Sequence, residues 1–160
     1  MNIFFLDRNL KKCAEYHMDK HVVKMILEYA QILCSVLWKH NIEAPYKETH
    51  KNHPCVLWCG KSRENWELLH KLCKRVNDEY MHRYSKDSNH KSFDIIKNLK
   101  APDSLPSIGI TRPPLCMPIE YKSNDIIESY RLYYKSDKKH LSKWKKRESP
   151  YWYNYKKSEI

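Results

Sequence analysis

Apolar residues recur at mostly helical spacing through Val22, Val23, Ile26, Leu33 and Leu37, and Met25, Ala30 and Ile32 widen the stripe. The pattern predicts a first helix, capped by Asp7 or Asn9 and running to about His40. A straight helix of that length would extend roughly 48 Å. That is long for so small a chain, so a bend or break is expected near Met18 to Lys20. Ahead of it, Met1 to Leu6 reads as a short strand or an extended arm. Asn41 to His53 is polar and reads as a loop. Pro54 suits the first position of a second helix, which is expected to run to about Tyr84. Its stripe is Trp58, Trp66, Leu69, Cys73, Val76 and Tyr80.

A shorter helix is predicted over Phe93 to Leu99. Ala101 to Tyr121 holds five of the eight prolines and one of the two glycines, so it reads as a long ordered loop of the kind that often carries function. Ser123 or Asn124 can cap a last helix through about Lys145, with Asp125 and Glu128 favourable in its first turn. The fold expected is all-α: a compact single domain over residues 1–160, about four helices, a Pro-rich loop and an aromatic C-terminal tail. No internal repeat and no low-complexity tract occurs.

Composition narrows the class. At 160 residues and 41% hydrophobic, the chain can bury a core and is globular rather than disordered. No run of about 18 apolar residues suggests a membrane span, and no membrane partner is expected. Ile3 to Leu6 is too short for a signal peptide. A cytosol-like compartment follows, of a host cell or a viral factory, or the nucleus, and not secretion. The six cysteines (13, 34, 55, 59, 73 and 116) are then expected to be reduced. The formal net charge of +11 draws the chain to polyanions, of which nucleic acid is the commonest in cells. Twelve tyrosines and five tryptophans strengthen that reading, because aromatic rings stack on bases.

The candidate chemistry gathers in two segments, Tyr16 to Lys24 and Thr49 to Cys55, which hold four of the nine histidines. Acid–base work at neutral pH uses groups that titrate nearby. Cys13, His17 and His21 recur every four residues and share a helix face. An ordinary exposed face is one reading. A metal site is another, with His17 and His21 as paired ligands and His50, His53, Cys55 and Cys59 as further candidates. Against it, Cys55-x3-Cys59 is not a usual zinc spacing. The third reading is amine chemistry. Lys20 lies among cations that depress an amine's pKa, and Asp19, His17 or His21 can move protons. His50, Asn52 and His53 precede a helix start and can contact a phosphate or a base edge.

Basic and aromatic residues interleave from Lys143 through Lys145, Arg147, Trp152, Tyr153 and Tyr155, as on a nucleic-acid surface; packing of that tail over the core is the competing reading. Arg112, in the Pro-rich loop, either reaches toward a groove or braces the loop.

Two segments resemble the pyrimidine-dimer DNA glycosylase family, of the phage endonuclease V type. Pro150-Tyr-Trp-Tyr-Asn-Tyr155 is similar to that family's terminal Pro-x-Trp-Tyr-x-Tyr segment. Lys51-Asn52-His53-Pro54 is similar to an Asn-His-Pro element of its cellular relatives. The first helix, with His17, stands where the family has its catalytic helix. His17-x-Asp19-Lys20-His21 and His50-Lys51-Asn52-His53-Pro54 also resemble patterns in small phage and giant-virus proteins. The resemblance implies attack on a sugar carbon by the N-terminal amine, an imine, strand scission by elimination, and a flipped base. It also implies a helix glutamate as assistant. Where the family carries Arg-Glu, this chain reads Asp19-Lys20-His21, with Glu28 two turns later. Asn2 is too bulky for removal of the initiator Met, so Met1 keeps the amine or Lys20 replaces it.

The resulting expectation is a DNA glycosylase/AP lyase acting on damaged or modified pyrimidines in double-stranded DNA, as a monomer without cofactor or metal. Met1, Asp19, Lys20, His21, His17 and His53 are its expected catalytic set. Lys24, His50, Asn52, Arg63, Arg112, Lys145, Arg147, Trp152, Tyr153 and Tyr155 are its expected DNA contacts. The competing expectations are a non-enzymatic nucleic-acid-binding or virion-associated protein, and a metal-dependent nuclease or base-modifying enzyme.

Overall fold

The N-terminal arm is extended, and its path is unusual for a terminus. Ile3, Phe4 and Leu6 are buried, so their backbone polar groups need partners inside the protein. Side chains supply them. Phe4 N–H donates to the Tyr29 hydroxyl at 3.2 Å, and the Cys13 thiol donates to the Phe4 carbonyl at 3.2 Å. Arg131 Nε donates to the Leu6 carbonyl at 2.8 Å. The arm is thus threaded through the core, and Met1 is held in a defined place.

A computed structural model describes residues 1–154, and among them the fold is all-helical, without strands. Six helices run in the order α1 (Leu10–Tyr16), α2 (Asp19–Lys39), α3 (Pro54–Cys59), α4 (Arg63–Arg83), α5 (Lys91–Ile96) and α6 (Ile126–Ser136), with 3-10 turns at Ile119–Tyr121 and Lys139–Leu141. One hydrophobic cluster extends from Ile3 to Trp152. α2 is its axis: Val22, Ile26, Tyr29, Ala30, Leu33 and Leu37 are buried, with α4 packed along it. By length and composition α2 is apolar enough to cross a membrane. Two thirds (67%) of its most apolar 18-residue stretch is buried against the rest of the protein, as in the core helix of a globular fold.

The expected break near Met18 is present, and a single side chain accounts for it. Asn9 caps α1 by accepting from Lys12 N–H at 3.0 Å. α1 stops at His17, whose ψ of 128° is extended. Arg83 collects the carbonyls freed by the break: its guanidinium donates to His17 O at 2.6 Å and Glu15 O at 2.8 Å. It also pairs with Asp19 at 3.1 Å and Glu79 at 2.8 Å, and is itself fully buried. A cation suits the C-terminal end of α1, and an aspartate suits the first turn of α2.

Three expectations are corrected. The helix predicted from Pro54 to Tyr84 is two helices. Gly60 ends α3, and the Ser62 hydroxyl restarts the chain as the cap of α4, accepting from Asn65 N–H at 3.0 Å. The Asn65 amide then ties the end of α3 (Trp58 O, 2.8 Å) to Thr111 of the Pro-rich loop (2.7 Å). The last helix is capped by Asp125, not Ser123 or Asn124, and ends at Ser136 rather than near Lys145. Beyond it the chain turns back over the α1–α2 break. Lys143 O accepts from Asp19 N–H at 2.8 Å, and Trp144 Nε1 donates to Tyr16 O at 2.9 Å. The short helix after Phe93 begins two residues earlier, at Lys91, and ends at Ile96.

Candidate active site

A polar cavity of about 310 Å3 opens at the end of the N-terminal arm. Met1, Asn2 and Phe4 form one side of it. His21, Lys24, Met25 and Glu28 come from one face of α2, at the one- and two-turn spacing that aligns side chains along a helix. His53, Cys116, Tyr133 and Lys138 complete the wall. The Met1 α-ammonium pairs with Glu28 Oε1 at 3.7 Å. A cavity of this size can hold one nucleobase or one sugar, near the lower end of small-molecule sites.

The aromatic wall is ordered by stacking. Phe4 lies flat on His21, ring centroids 4.3 Å apart, and Tyr133 is 6.5 Å from Phe4. Lys138 Nζ stands 5.1 Å from the Tyr133 ring. Burial lowers the His21 pKa to about 3, helped by the charges of Lys138 and Lys24. The ring is therefore neutral at physiological pH. The Tyr134 hydroxyl bonds its Nδ1 at 2.6 Å. His53 is half-buried and caps α3, its Nδ1 accepting from Cys55 N–H at 3.0 Å. Its pKa is lowered by burial first, then by the Met1 ammonium and His50.

The other expected residues fall elsewhere. His17 is fully buried and does not line the cavity. Its Nδ1 lies 2.7 Å from Cys13 O, which only accepts, so Nδ1 carries the proton. Nε2 then accepts from the Tyr29 hydroxyl at 2.7 Å, and Tyr29 in turn accepts from Phe4 N–H. His17 therefore holds the arm in place, and His17 and His21 are buried groups rather than an exposed titratable face. Asp19 is bound to Arg83 and to Lys145 N–H (2.8 Å), outside the cavity. Lys20 is exposed and does not line the cavity either.

Of the expected DNA contacts, Lys24 lines the cavity, and His50 and Asn52 are exposed in the loop that leads to His53. Arg147 makes two bonds to Glu79, at 2.8 and 3.0 Å, which occupy its guanidinium within the protein. Lys145 lies over the Tyr84 ring, 5.4 Å from its centroid. Trp152 is buried against Tyr16 and Arg131, and half-buried Tyr153 packs on Trp144, so these tail rings lie against the rest of the protein. Arg63 donates to Asp103 O at 3.3 Å, away from the cavity. Arg112 lines a larger, mostly apolar cavity of about 620 Å3 that shares no lining residue with the Met1 site. Tyr155 lies outside the described residues.

Glu28 lines the cavity and pairs with Met1, yet it is absent from the catalytic set expected from sequence. Its signal was present: it stands four residues after Lys24 and seven after His21, hence on their face of the helix. What hid it was the position of the terminus, which only the fold brings to α2. The family model described as pyrimidine dimer DNA glycosylase matches residues 1–92, the part of the chain that contains Met1, His21, Lys24, Glu28 and His53.

The chain belongs to the pyrimidine dimer DNA glycosylase family.

Membership in the pyrimidine dimer DNA glycosylase family supports DNA glycosylase function in general and DNA as substrate. No curated protein and no solved structure matches this chain. Cys116, Tyr133 and Lys138 of the cavity wall lie beyond the part matched to the glycosylase family.

The buried histidines set an acid limit on this fold. An unfolded histidine takes a proton near pH 6.5, whereas burial holds His17 unprotonated down to about 4. Between those values the unfolded chain binds the extra proton, so acid favours unfolding. The contribution is complete above about pH 6.5 and is lost as pH falls toward 4, at up to about 1.4 kcal/mol per pH unit for His17. His21 adds in the same direction. The urea midpoint should therefore drop steadily from pH 7 to pH 5, and His17→Gln should flatten that dependence while lowering stability at pH 7. A midpoint unchanged across that range contradicts the buried neutral rings.

Proposed function

We propose that this chain excises damaged or modified pyrimidines from double-stranded DNA as a glycosylase with AP lyase activity, using the Met1 α-amine as nucleophile and Glu28 as its proton acceptor. The ion pair between these two groups, 3.7 Å apart inside a polar cavity, is the observation that carries the reading. An ammonium has no lone pair, so the amine must first give a proton to a neighbour, and the Glu28 carboxylate is in place to take it. The free amine then attacks C1′ of the flipped nucleotide, and the bond from C1′ to the base breaks. Loss of the ring oxygen's bond to C1′ gives the imine. Removal of a C2′ proton expels the 3′ phosphate, and water releases the enzyme.

The surroundings suit a flipped pyrimidine nucleotide. Tyr133, partly exposed in the cavity wall, offers a ring for the base, and buried Phe4 supports it from behind. Lys24 and Lys138 offer cations to the flanking phosphates. Neutral His21 can hydrogen-bond without adding charge beside the amine.

Borohydride trapping on duplexes containing one thymine dimer, one abasic site or no lesion tests the proposal. Capture on the dimer duplex is expected, with the adduct mapped to Met1. Capture at the abasic site alone would remove the glycosylase step. An adduct on Lys20 would remove the Met1 assignment. Binding without any capture would favour a non-enzymatic DNA-binding protein.

A further inference from the structure

The six cysteines differ in access. Cys13, Cys34, Cys55, Cys59 and Cys73 are buried, and Cys116 is partly open, in the wall of the Met1 cavity. The Cys116 Sγ lies 3.8 Å from the Cys55 Sγ, across the junction between α3 and the Pro-rich loop. The proposed reaction uses neither thiol. Both residues touch Asn2, the neighbour of Met1, Cys55 through its thiol and Cys116 through its backbone carbonyl. The Asn2 amide donates to Cys116 O at 2.8 Å, and Asn2 Oδ1 accepts from the Tyr130 hydroxyl at 3.2 Å and from the Cys55 thiol at 3.9 Å.

We infer that Cys55 and Cys116 are an oxidation site, a reversible disulfide that displaces Asn2 and with it the Met1 amine. Cys116 meets the oxidant, because it is open to the cavity, and buried Cys55 resolves the product. With a peroxide, the Cys116 thiolate attacks one oxygen and becomes a sulfenic acid as the O–O bond breaks. The Cys55 sulfur then displaces water from it. Two thiols and one hydrogen peroxide give one disulfide and two waters. With oxidised glutathione, the same two thiols exchange to one disulfide and two reduced glutathiones. The neighbouring Cys55 thiol, with help from the Tyr130 hydroxyl, lowers the Cys116 pKa, which favours the attacking thiolate.

Bond formation needs the sulfurs at about 2.05 Å, so the pair must close by roughly 1.8 Å. Cys116 O is bonded to Asn2, so the arm moves with the loop. A displacement near 1 Å at a reacting amine can lower a rate about 100-fold. Only this consequence for DNA chemistry rests on the proposed function; the disulfide and the movement of Met1 do not.

The full chain is equilibrated in reduced and in oxidised glutathione, and then examined in three ways. Peptide mapping should find Cys55 joined to Cys116 in the oxidised sample, and dithiothreitol should reverse it. The rate of Met1 acetylation should differ between the two states. Borohydride capture should fall about tenfold or more on oxidation. Cys55→Ser and Cys55→Ala, each compared with itself in both buffers, should lose the response. No Cys55–Cys116 peptide, an unchanged Met1 acetylation rate, or a response that survives in either variant overturns the inference. Absence of capture in both states, with the disulfide and the Met1 change present, counts against the glycosylase reading and leaves the oxidation site supported.

Discussion

Glu28→Gln is expected to lower borohydride capture and lesion-strand cleavage by about 10²- to 10⁴-fold, the usual worth of a positioned proton acceptor. The amide has the carboxylate's shape, so the cavity keeps its form, but it cannot take the proton that Met1 must lose. DNA affinity should hold or rise slightly, because a negative charge beside the phosphates is removed. Lys20→Ala is the paired control. Lys20 is exposed and does not line the cavity, so capture should change little. The reverse result, a fully active Glu28→Gln and an inactive Lys20→Ala, would return the nucleophile to Lys20. Electrophoretic mobility shifts on the same duplexes separate binding from chemistry in both variants.

Arg83→Met is expected to cost about 3–5 kcal/mol of folding stability, measured by urea denaturation at pH 7. Methionine restores some of the lost volume and none of the bonds. Glu15 O and His17 O lose their donor at the α1–α2 break, and Asp19 and Glu79 lose the fully buried cation between them. Arg147 still reaches Glu79, which limits the damage there. Arg147→Ala, at a side chain about a third exposed (34%), should cost nearer 1 kcal/mol. A loss below about 1 kcal/mol for Arg83→Met would mean that water or side-chain movement can satisfy the freed carbonyls. Because α2 carries His21, Lys24 and Glu28, loosening its first turn should lower activity as well.

The Asp19-Lys20-His21 turn shows how a dense motif divides in space. Its charged and titratable residues suggested one catalytic cluster, yet they point three ways. Asp19 serves the Arg83 junction, Lys20 meets solvent, and His21 faces the cavity. Adjacent positions on a helix are about 100° apart, so neighbours in sequence seldom share a site. The Asn52-His53-Pro54 element divides in the same way: His53 lines the cavity and caps α3, whereas Asn52 is exposed. The tail was equally legible and equally ambiguous. Trp152 and Tyr153 could stack on bases or on the protein, and Arg131, buried Tyr134 and Tyr16 supply the surface that holds Trp152.

Local signals in the sequence determined the helical class, the break near Met18, the Pro54 start and the loop around the prolines. Each of these depends on periodicity or on the preferences of a few adjacent residues, and such preferences act within one or two turns. The family's motifs, and the reacting amine that they imply, were legible too. The partner of that amine was decided by the tertiary structure. Met1 and Glu28 are far apart along the chain, and they meet because the arm's buried backbone finds its hydrogen bonds on Tyr29, Cys13 and Arg131. Those donors and acceptors come from α1, α2 and α6, so no local pattern encodes where the terminus ends. The burial that turns His17 into a positioning group and keeps His21 neutral has the same origin, because desolvation depends on every element packed around a ring.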